Sequence, residues 1–340
     1  MNIDFGLGNT AEYQVALRAA MELGLAAKGT TSPNPPVGAV IVDSSGRVVG
    51  RGHTQPVGGP HAEIMALRSA GNTARGGLAV VTLEPCAHTG RTGPCTQALI
   101  NAGVSQVVFL HSDPNPVASG GAKALQEAGI AVQQVQAPEG AEDALLPWLT
   151  ATQLGWPHVT LKFAQTLDGF TAATDGTSQW ITGETARNHV HEDRARRDAI
   201  IIGTGTALAD NPSLTARYLD GRLREKQPRR VVIGTRDISA ASKLHAAGYE
   251  QYGTIDQALS QLWDTGARDV LVEGGASLAY GFLKAGKVDA IQAYLAPVLL
   301  GEGRGVVSAS LAGTLADAGR WRTAGVRHLG EDVLWLLAQS

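Results

Sequence analysis

One histidine and the chain's two cysteines set the tightest limit on what this sequence can fold into. His61, Cys86 and Cys95 are an imidazole and two thiols, a donor set that zinc holds tetrahedrally with a fourth position kept for water. Glu63 lies two residues from His61. Near a helix start, that spacing aims a carboxylate at the water without making it a ligand. Whatever fold forms must therefore bring together a helix opening at position 61, a strand over 78–83 that runs out at Cys86, and a helix with Pro94 in its first turn carrying Cys95.

Blander readings exist. The cysteines could form a surface disulfide, His61 could be an ordinary helix histidine, or a purely structural zinc could sit there. A structural zinc wants four protein ligands, and none of the three uses Glu63. The His-x-Glu and Pro-Cys pairings match zinc-dependent nucleobase deaminases, in which the glutamate carries protons between water, ring nitrogen and leaving amine. Eight residues separate Cys86 from Cys95, against two in the generic pattern.

At 340 residues the chain is comfortable for two domains. Its net charge of −3 argues against a general nucleic-acid or membrane partner. Both cysteines are claimed by the metal constellation, which fits a reducing compartment. The start Met1-Asn2-Ile3-Asp4-Phe5 lacks the basic opening of a secretion signal, and no apolar run approaches the ~18 residues of a membrane span. A cytoplasmic protein is expected.

Asn9 and Glu12 have capping-box spacing ahead of a helix over 13–28. Strands are predicted over 37–42, 48–52, 78–83, 107–110 and 130–135, and helices over 61–70 and 121–128. This alternation predicts a three-layer α/β/α sandwich. A short helix within 138–156 reads as the link to a second α/β domain. There, strands are predicted over 158–164, 199–203, 231–233, 270–272, 290–296 and 333–338, with helices over 184–197, 255–263 and 277–285. Thr160, Lys162 and Ala164 share one strand face.

The stretches Pro33-Asn34-Pro35-Pro36-Val37-Gly38, Pro60-His61-Ala62-Glu63, Thr82-Leu83-Glu84-Pro85-Cys86 and His88-Thr89-Gly90-Arg91-Thr92-Gly93-Pro94-Cys95 resemble the bifunctional deaminase–reductase family of riboflavin biosynthesis. Gly93 replaces the first proline of the family's Thr-Pro-Pro-Cys. The second half continues the resemblance through Thr166-Leu167-Asp168-Gly169, Ser178-Gln179-Trp180-Ile181-Thr182, Asp210-Asn211-Pro212 and Glu273-Gly274-Gly275.

The resemblance implies a cytidine-deaminase-like zinc domain over 1–154 and an NADPH-dependent reductase domain of the dihydrofolate-reductase fold over 155–340. It implies one zinc per chain on His61, Cys86 and Cys95, with Glu63 catalytic. It also implies that Asn34, His53, His88 and Arg91 hold the pyrimidine and its phosphoribosyl arm. Amide, imidazole and guanidinium groups suit that ligand, although loop histidines and a solvated arginine account for the same residues. The cofactor would lie on Ala164, Trp180, Thr206, Asp210, Thr235 and the run Gly275, Ala276, Ser277, Leu278, Ala279, Tyr280 and Gly281. The reductase substrate would meet Ser178, Arg194, Leu214, Arg217 and Glu273. A homo-oligomer acting on small phosphoribosyl pyrimidines is expected.

Further candidates come from the residues themselves. Glycines before the helix that follows Glu273 let backbone amides approach a pyrophosphate, or simply make a tight turn. Lys162 and Glu273, expected at the carboxyl ends of strands, are candidates for proton transfer in the reductase. A snorkelling lysine and a capping glutamate are the alternative. The segment 235–269 looks shortened, with little more than one helix. The family's Asp-Ser after the 231–233 strand is here Gly234-Thr235-Arg236. Arg236 either accepts the 2′-phosphate of NADPH or pairs locally beside Asp237. Two other functions stay open: a nucleobase or tRNA deaminase with an unrelated second domain, and a deaminase whose reductase-like half has decayed into a binding domain.

Overall fold

The computed structural model describes residues 11–87, 93–115, 120–138 and 141–339. The chain divides into two compact units, Met1–Gly155 and Trp156–Ser340. The first unit runs α1 (Ala11–Ala27), β1 (Gly38–Val42), β2 (Val48–His53), α2 (Ala62–Ala70), β3 (Leu78–Leu83), α3 (Cys95–Ala102), β4 (Gln106–His111), α4 (Gly121–Glu127), β5 (Ala131–Gln134) and α5 (Leu146–Leu154). Asn9, the proposed cap of α1, lies outside the described residues.

These strands form one sheet in the order β2-β1-β3-β4-β5. β1 is antiparallel to both neighbours, and β3, β4 and β5 are parallel. Successive side chains of β1 point to opposite faces. Ala39 and Ile41 join Ala62, Ala66 and Leu99 of the α2/α3 layer, whereas Val40 and Val42 join Ala16, Leu17 and Met21 of α1. The expected sandwich is therefore formed.

Helix α2 lies unusually close to the sheet because β2 carries glycine where they meet. A Cβ on Gly52 would stand 2.4 Å from both Ala62 O and Ala66 N, and one on Gly50 would stand 2.2 Å from Ala66 O. No side chain fits there, so the helix rests on strand backbone. Its first turn, with His61 and Glu63, is thereby drawn to the sheet edge where β2 ends.

The second unit runs β6 (His158–Thr166), β7 (Phe170–Ala172), α6 (Glu184–Ala195), β8 (Ala199–Gly203), α7 (Thr204–Asp210), β9 (Arg229–Ile233), α8 (Lys243–Ala247), β10 (Glu250–Tyr252), α9 (Ile255–Asp264), β11 (Asp269–Val272), α10 (Ala276–Lys284), β12 (Ala290–Ala296), β13 (Arg304–Gly305), β14 (Trp321–Leu329) and β15 (Asp332–Gln339). Eight strands pair in the order β10-β9-β8-β11-β6-β12-β15-β14, and β7 pairs with β13 apart from them. The run from β10 to β12 is parallel, and β15 and β14 close the edge antiparallel. α9 and α10 bury Leu259, Leu262 and Phe282 on one face of the sheet, while α7 and α8 bury Ala207 and Leu244 on the other.

Two expectations need correction, and β7, α7 and β13 were not predicted. The segment 235–269 is not nearly empty: α8 and β10 precede α9, and β10 adds an edge strand to β9. Lys162 is not at a strand end, because β6 continues to Thr166. Strand β14 was not expected at all. Among the described residues, no helix is long and apolar enough to cross a membrane.

Candidate functional site

In the first unit three segments reach one edge of the sheet. His61 is the N-cap of α2, Cys86 follows the end of β3, and Cys95 is the first residue of α3 after Pro94. Register explains the meeting, since Gly38 at the start of β1 pairs with His53 at the end of β2, and Ala39 pairs with Val81 near the end of β3. Zinc at about 2.3 Å from sulfur and about 2.0 Å from nitrogen, with tetrahedral angles, holds the two atoms roughly 3.6 Å apart. His61 Nδ1 stands 3.7 Å from Cys86 Sγ and 3.3 Å from Cys95 Sγ, and all three donor atoms lie within 4.8 Å of one another.

The electrostatics also fit a cation. Both cysteines are buried and free. The hydrogen bond from Cys95, together with His61, holds the Cys86 thiol down to about 4, while the bond to Cys86 and then burial push Cys95 up. Two sulfurs this close share one negative charge unless a positive ion joins them. Glu63 is 5% exposed, and burial pushes its carboxyl up from the ordinary value, as suits a group that must hold a proton.

Asn34 and His53 come to the same edge. The carbonyl preceding Asn34 accepts a hydrogen bond from Trp148 Nε1 at 2.9 Å, which ties α5 to this loop. His53 is the last residue of β2, with Nδ1 3.0 Å from Thr54 O. His88 and Arg91 lie outside the described residues.

Reasoning from sequence missed Glu84. This buried carboxylate accepts from Ala122 N at 2.9 Å and from Asp113 N at 3.4 Å. It fixes the start of α4 against the turn that carries Cys86, where a Cβ on Gly121 would meet Pro85 O at 1.7 Å. Its adjacency to Pro85-Cys86 was the available signal.

In the second unit the decisive cluster is Arg194, Glu273 and Lys162. Arg194 of α6 donates through Nε and Nη2 to the two oxygens of Glu273, each at 2.7 Å. Lys162 Nζ stands 3.8 Å from Glu273 Oε2 and 5.5 Å from the centre of the Tyr294 ring. Lys162 lies mid-strand, but it is level with Glu273 because Leu161 pairs with Val272. Burial would raise Glu273, yet Arg194 and then Lys162 outweigh it and hold the carboxyl at about 2. Burial lowers Lys162, with Glu273 opposing.

Arg194 Nη1 also donates to Thr215 O, and Arg217 Nε donates to Thr215 Oγ1. The loop carrying Leu214 and Arg217 is thus joined to the cluster. Leu214 is buried at φ +48, a costly conformation for leucine. Ala164 lies on the same strand face, beside Tyr294. Ser178 and Trp180 are exposed on the loop before α6, the Trp180 ring centre 4.9 Å from the Arg187 guanidinium.

Thr206 Oγ1 accepts from Gly275 N at 3.1 Å, so the turns after β8 and β11 touch. Asp210 is one helical turn beyond Thr206, and Thr235 is exposed after β9. These turns are glycine cradles: a Cβ on Gly274 would stand 2.8 Å from Leu278 Cβ, and one on Gly275 would stand 3.4 Å from Thr206 Oγ1. Backbone left bare in this way fits a dinucleotide. Within the run Gly275–Gly281, Gly275 and Ser277 are exposed, Ala276, Leu278 and Tyr280 are half-buried, and Gly281 faces Ile255. Ala279 has its methyl in the core, and its N–H donates to Gly275 O.

Comparison with known proteins agrees with both halves. Residues 11–111 match the cytidine and deoxycytidylate deaminase zinc-binding region, and residues 157–335 match the RibD C-terminal domain. The riboflavin biosynthesis protein RibD of Corynebacterium ammoniagenes is 66% identical over 307 residues, covering 89% of this chain and 91% of that protein.

The chain belongs to the RibD family.

RibD of Escherichia coli is 39% identical, with 95% of this chain and 97% of that protein covered. A RibD structure from Acinetobacter baumannii superposes with a TM-score of 0.84 at 36% identity, covering 97% of this chain and 99% of that one. A Thermotoga maritima structure described as a diaminohydroxyphosphoribosylaminopyrimidine deaminase/5-amino-6-(5-phosphoribosylamino)uracil reductase gives 0.84 at 31%, with the same coverage. As a RibD-family chain, this protein combines a deaminase half and a reductase half. A deaminase with an unrelated or decayed second domain is not favoured.

Tyr294 also borders the cluster of Lys162, Glu273 and Arg194. Its hydroxyl stands 2.8 Å from His189 Nδ1, and its ring underlies Lys162. Sequence offered no signal for it beyond an apolar strand.

Proposed function

We propose that the chain carries out two consecutive steps of riboflavin biosynthesis. The first is hydrolytic deamination of 2,5-diamino-6-(5-phosphoribosylamino)pyrimidin-4(3H)-one, and the second is NADPH-dependent reduction of the ribosyl group to ribityl. The observation that carries the reading is the convergence of His61 Nδ1, Cys86 Sγ and Cys95 Sγ beside the buried carboxyl of Glu63.

Zinc held by those three atoms supplies Lewis acidity that brings the pKa of water towards neutrality. Glu63 takes one proton from the attacking water and gives it to the ring nitrogen; it then takes the second from the hydroxyl now on the ring carbon and gives it to the amine, which leaves as ammonia while the carbonyl forms. Asn34 and His53 orient the ring from the edge shared by β1 and β2, and His88 and Arg91 are assigned to the phosphoribosyl arm. Exclusion of bulk water follows from burial of both cysteines and Glu63.

In the reductase half NADPH supplies the hydride. Arg194 fixes Glu273, and Glu273 in turn holds Lys162. Lys162 Nζ, its pKa lowered by burial, delivers a proton to the opening sugar. Leu214 and Arg217 position the substrate from the loop bound to Arg194.

A coupled assay tests the reading. Purified full-length protein with zinc and the diaminopyrimidine phosphate should release ammonia and then oxidise NADPH, each at one equivalent per substrate. Ammonia release with no oxidation, even when the deaminated substrate is supplied, would remove the second step.

A further inference from the structure

We propose that Arg236 is the residue that distinguishes NADPH from NADH by accepting the 2′-phosphate; this rests on the cofactor reading above. Strands β9, β8 and β11 are neighbours that end nearly flush, with Gly203 paired to Ile233 and Val272 paired to Ile201. Each is followed by a glycine turn at the same edge of the sheet. A Cβ on Gly234, at φ +126, would stand 2.7 Å from Thr204 Oγ1, so the turn after β9 packs directly on the start of α7. Neighbouring strands are about 4.8 Å apart, which puts the β9 and β11 turns roughly 10 Å apart. A ligand whose pyrophosphate lies at Gly275 can therefore reach the β9 turn with its adenosine ribose.

Arg236 is held at that turn. Its Nε donates to Thr204 Oγ1 at 3.3 Å, and a Cβ on Gly205 would stand 3.2 Å from its Nη2. Gln251 Nε2 donates to Gly234 O at 2.7 Å and to Arg236 O at 3.0 Å, pinning the backbone on either side. Among the described residues no carboxylate pairs with this guanidinium. The local pair with Asp237 that sequence left open is not formed. The result is an exposed, anchored cation with free donors beside a threonine hydroxyl, which suits a phosphate monoester.

The test uses the full-length protein and measures dissociation constants for NADPH and NADH, from nucleotide fluorescence and by calorimetry, without turnover. Wild type should favour NADPH by on the order of tenfold or more, and added salt should erode that preference. Arg236→Ala should abolish the preference by weakening NADPH alone, and Arg236→Lys should restore part of it. Adenosine 2′,5′-bisphosphate against AMP should repeat the pattern. A preference retained in Arg236→Ala overturns the assignment of Arg236 only. Wild type that binds both nucleotides equally overturns the proposed discrimination, and wild type that binds neither overturns the cofactor reading together with it.

Discussion

The sharpest energetic claim concerns Arg194 and Glu273, and replacing Arg194 with Met tests it. The Glu273 side chain is 7% exposed and Arg194 16%, and two 2.7 Å bonds join them. The carboxyl falls from an ordinary 4.5 to about 2. At about 1.4 kcal/mol per tenfold change in proton affinity, that corresponds to about 3 kcal/mol. The figure agrees with the roughly 3–5 kcal/mol lost when one partner of a buried pair is removed. Because the folded value lies below the unfolded one, this stability is fully present above pH 4.5 and is lost as pH falls through about 2. Arg194→Met should therefore cost about 3 kcal/mol at pH 7 and flatten the acid dependence between those limits. Glu273→Gln alone should cost about as much, by stranding Arg194, but little more when added to Arg194→Met, so a double-mutant cycle should give a coupling of about 3 kcal/mol. Urea unfolding followed by tryptophan fluorescence is the assay, since five of the six tryptophans follow Gly155. Additive costs, with coupling below about 0.5 kcal/mol, would refute the reasoning.

Glu63→Gln should lower deamination by about 10²–10⁴ while one zinc per chain remains, whereas Cys86→Ala or Cys95→Ala should lose the metal; metal analysis beside ammonia release separates the two, and zinc lost from Glu63→Gln would make that residue a ligand. Gly52→Val should displace α2 and lower zinc content and thermal stability together, because its Cβ has no room 2.4 Å from Ala62 O; unchanged zinc content would show that α2 does not set the position of His61. Glu84→Gln leaves one oxygen to serve Ala122 N and Asp113 N, and zinc affinity should weaken several-fold with the fold intact by circular dichroism; wild-type affinity would make Glu84 a residue of the α4 loop alone.

The candidate metal centre was legible because its chemistry is demanding. An imidazole, two thiols and a nearby carboxylate have few joint uses, and β3 and α3 announced themselves by an apolar run and by Pro94. The elements that escaped notice, β7, α7, α8, β10, β13 and β14, are mostly short. α8 is five residues long and β10 three, too short for hydrophobic spacing to register. β14 is an edge strand with Gly325, two arginines and mostly exposed positions, so it shows no clean alternation. The end of β6 was set early because Gln165 and Thr166 are polar, although Thr166 is buried and accepts from Phe170 N. Tyr294 fell inside the predicted strand 290–296; that its hydroxyl is turned to His189 and its ring to Lys162 depends on pairing between strands distant in sequence.

The two halves build their sites by different physical means, and this decides which substitutions each tolerates. In the deaminase half placement comes from backbone contact. Gly50, Gly52 and Gly121 let helices touch strand or loop backbone at distances no side chain allows, and the ligands follow rigidly. A charge change nearby should alter chemistry and leave geometry, whereas adding a single methyl at those glycines should undo the geometry. In the reductase half the core of the site is a buried charge cluster, in which Arg194, Glu273 and Lys162 hold one another. There a neutralising change should undo geometry and stability at once, because the remaining charges are left in a poorly solvated place. Arg236 stands outside that cluster, exposed and bound through one hydroxyl. It is therefore a position in the reductase half where a charge can be removed without disturbing the fold, which is why nucleotide preference measured there reports on recognition and not on stability.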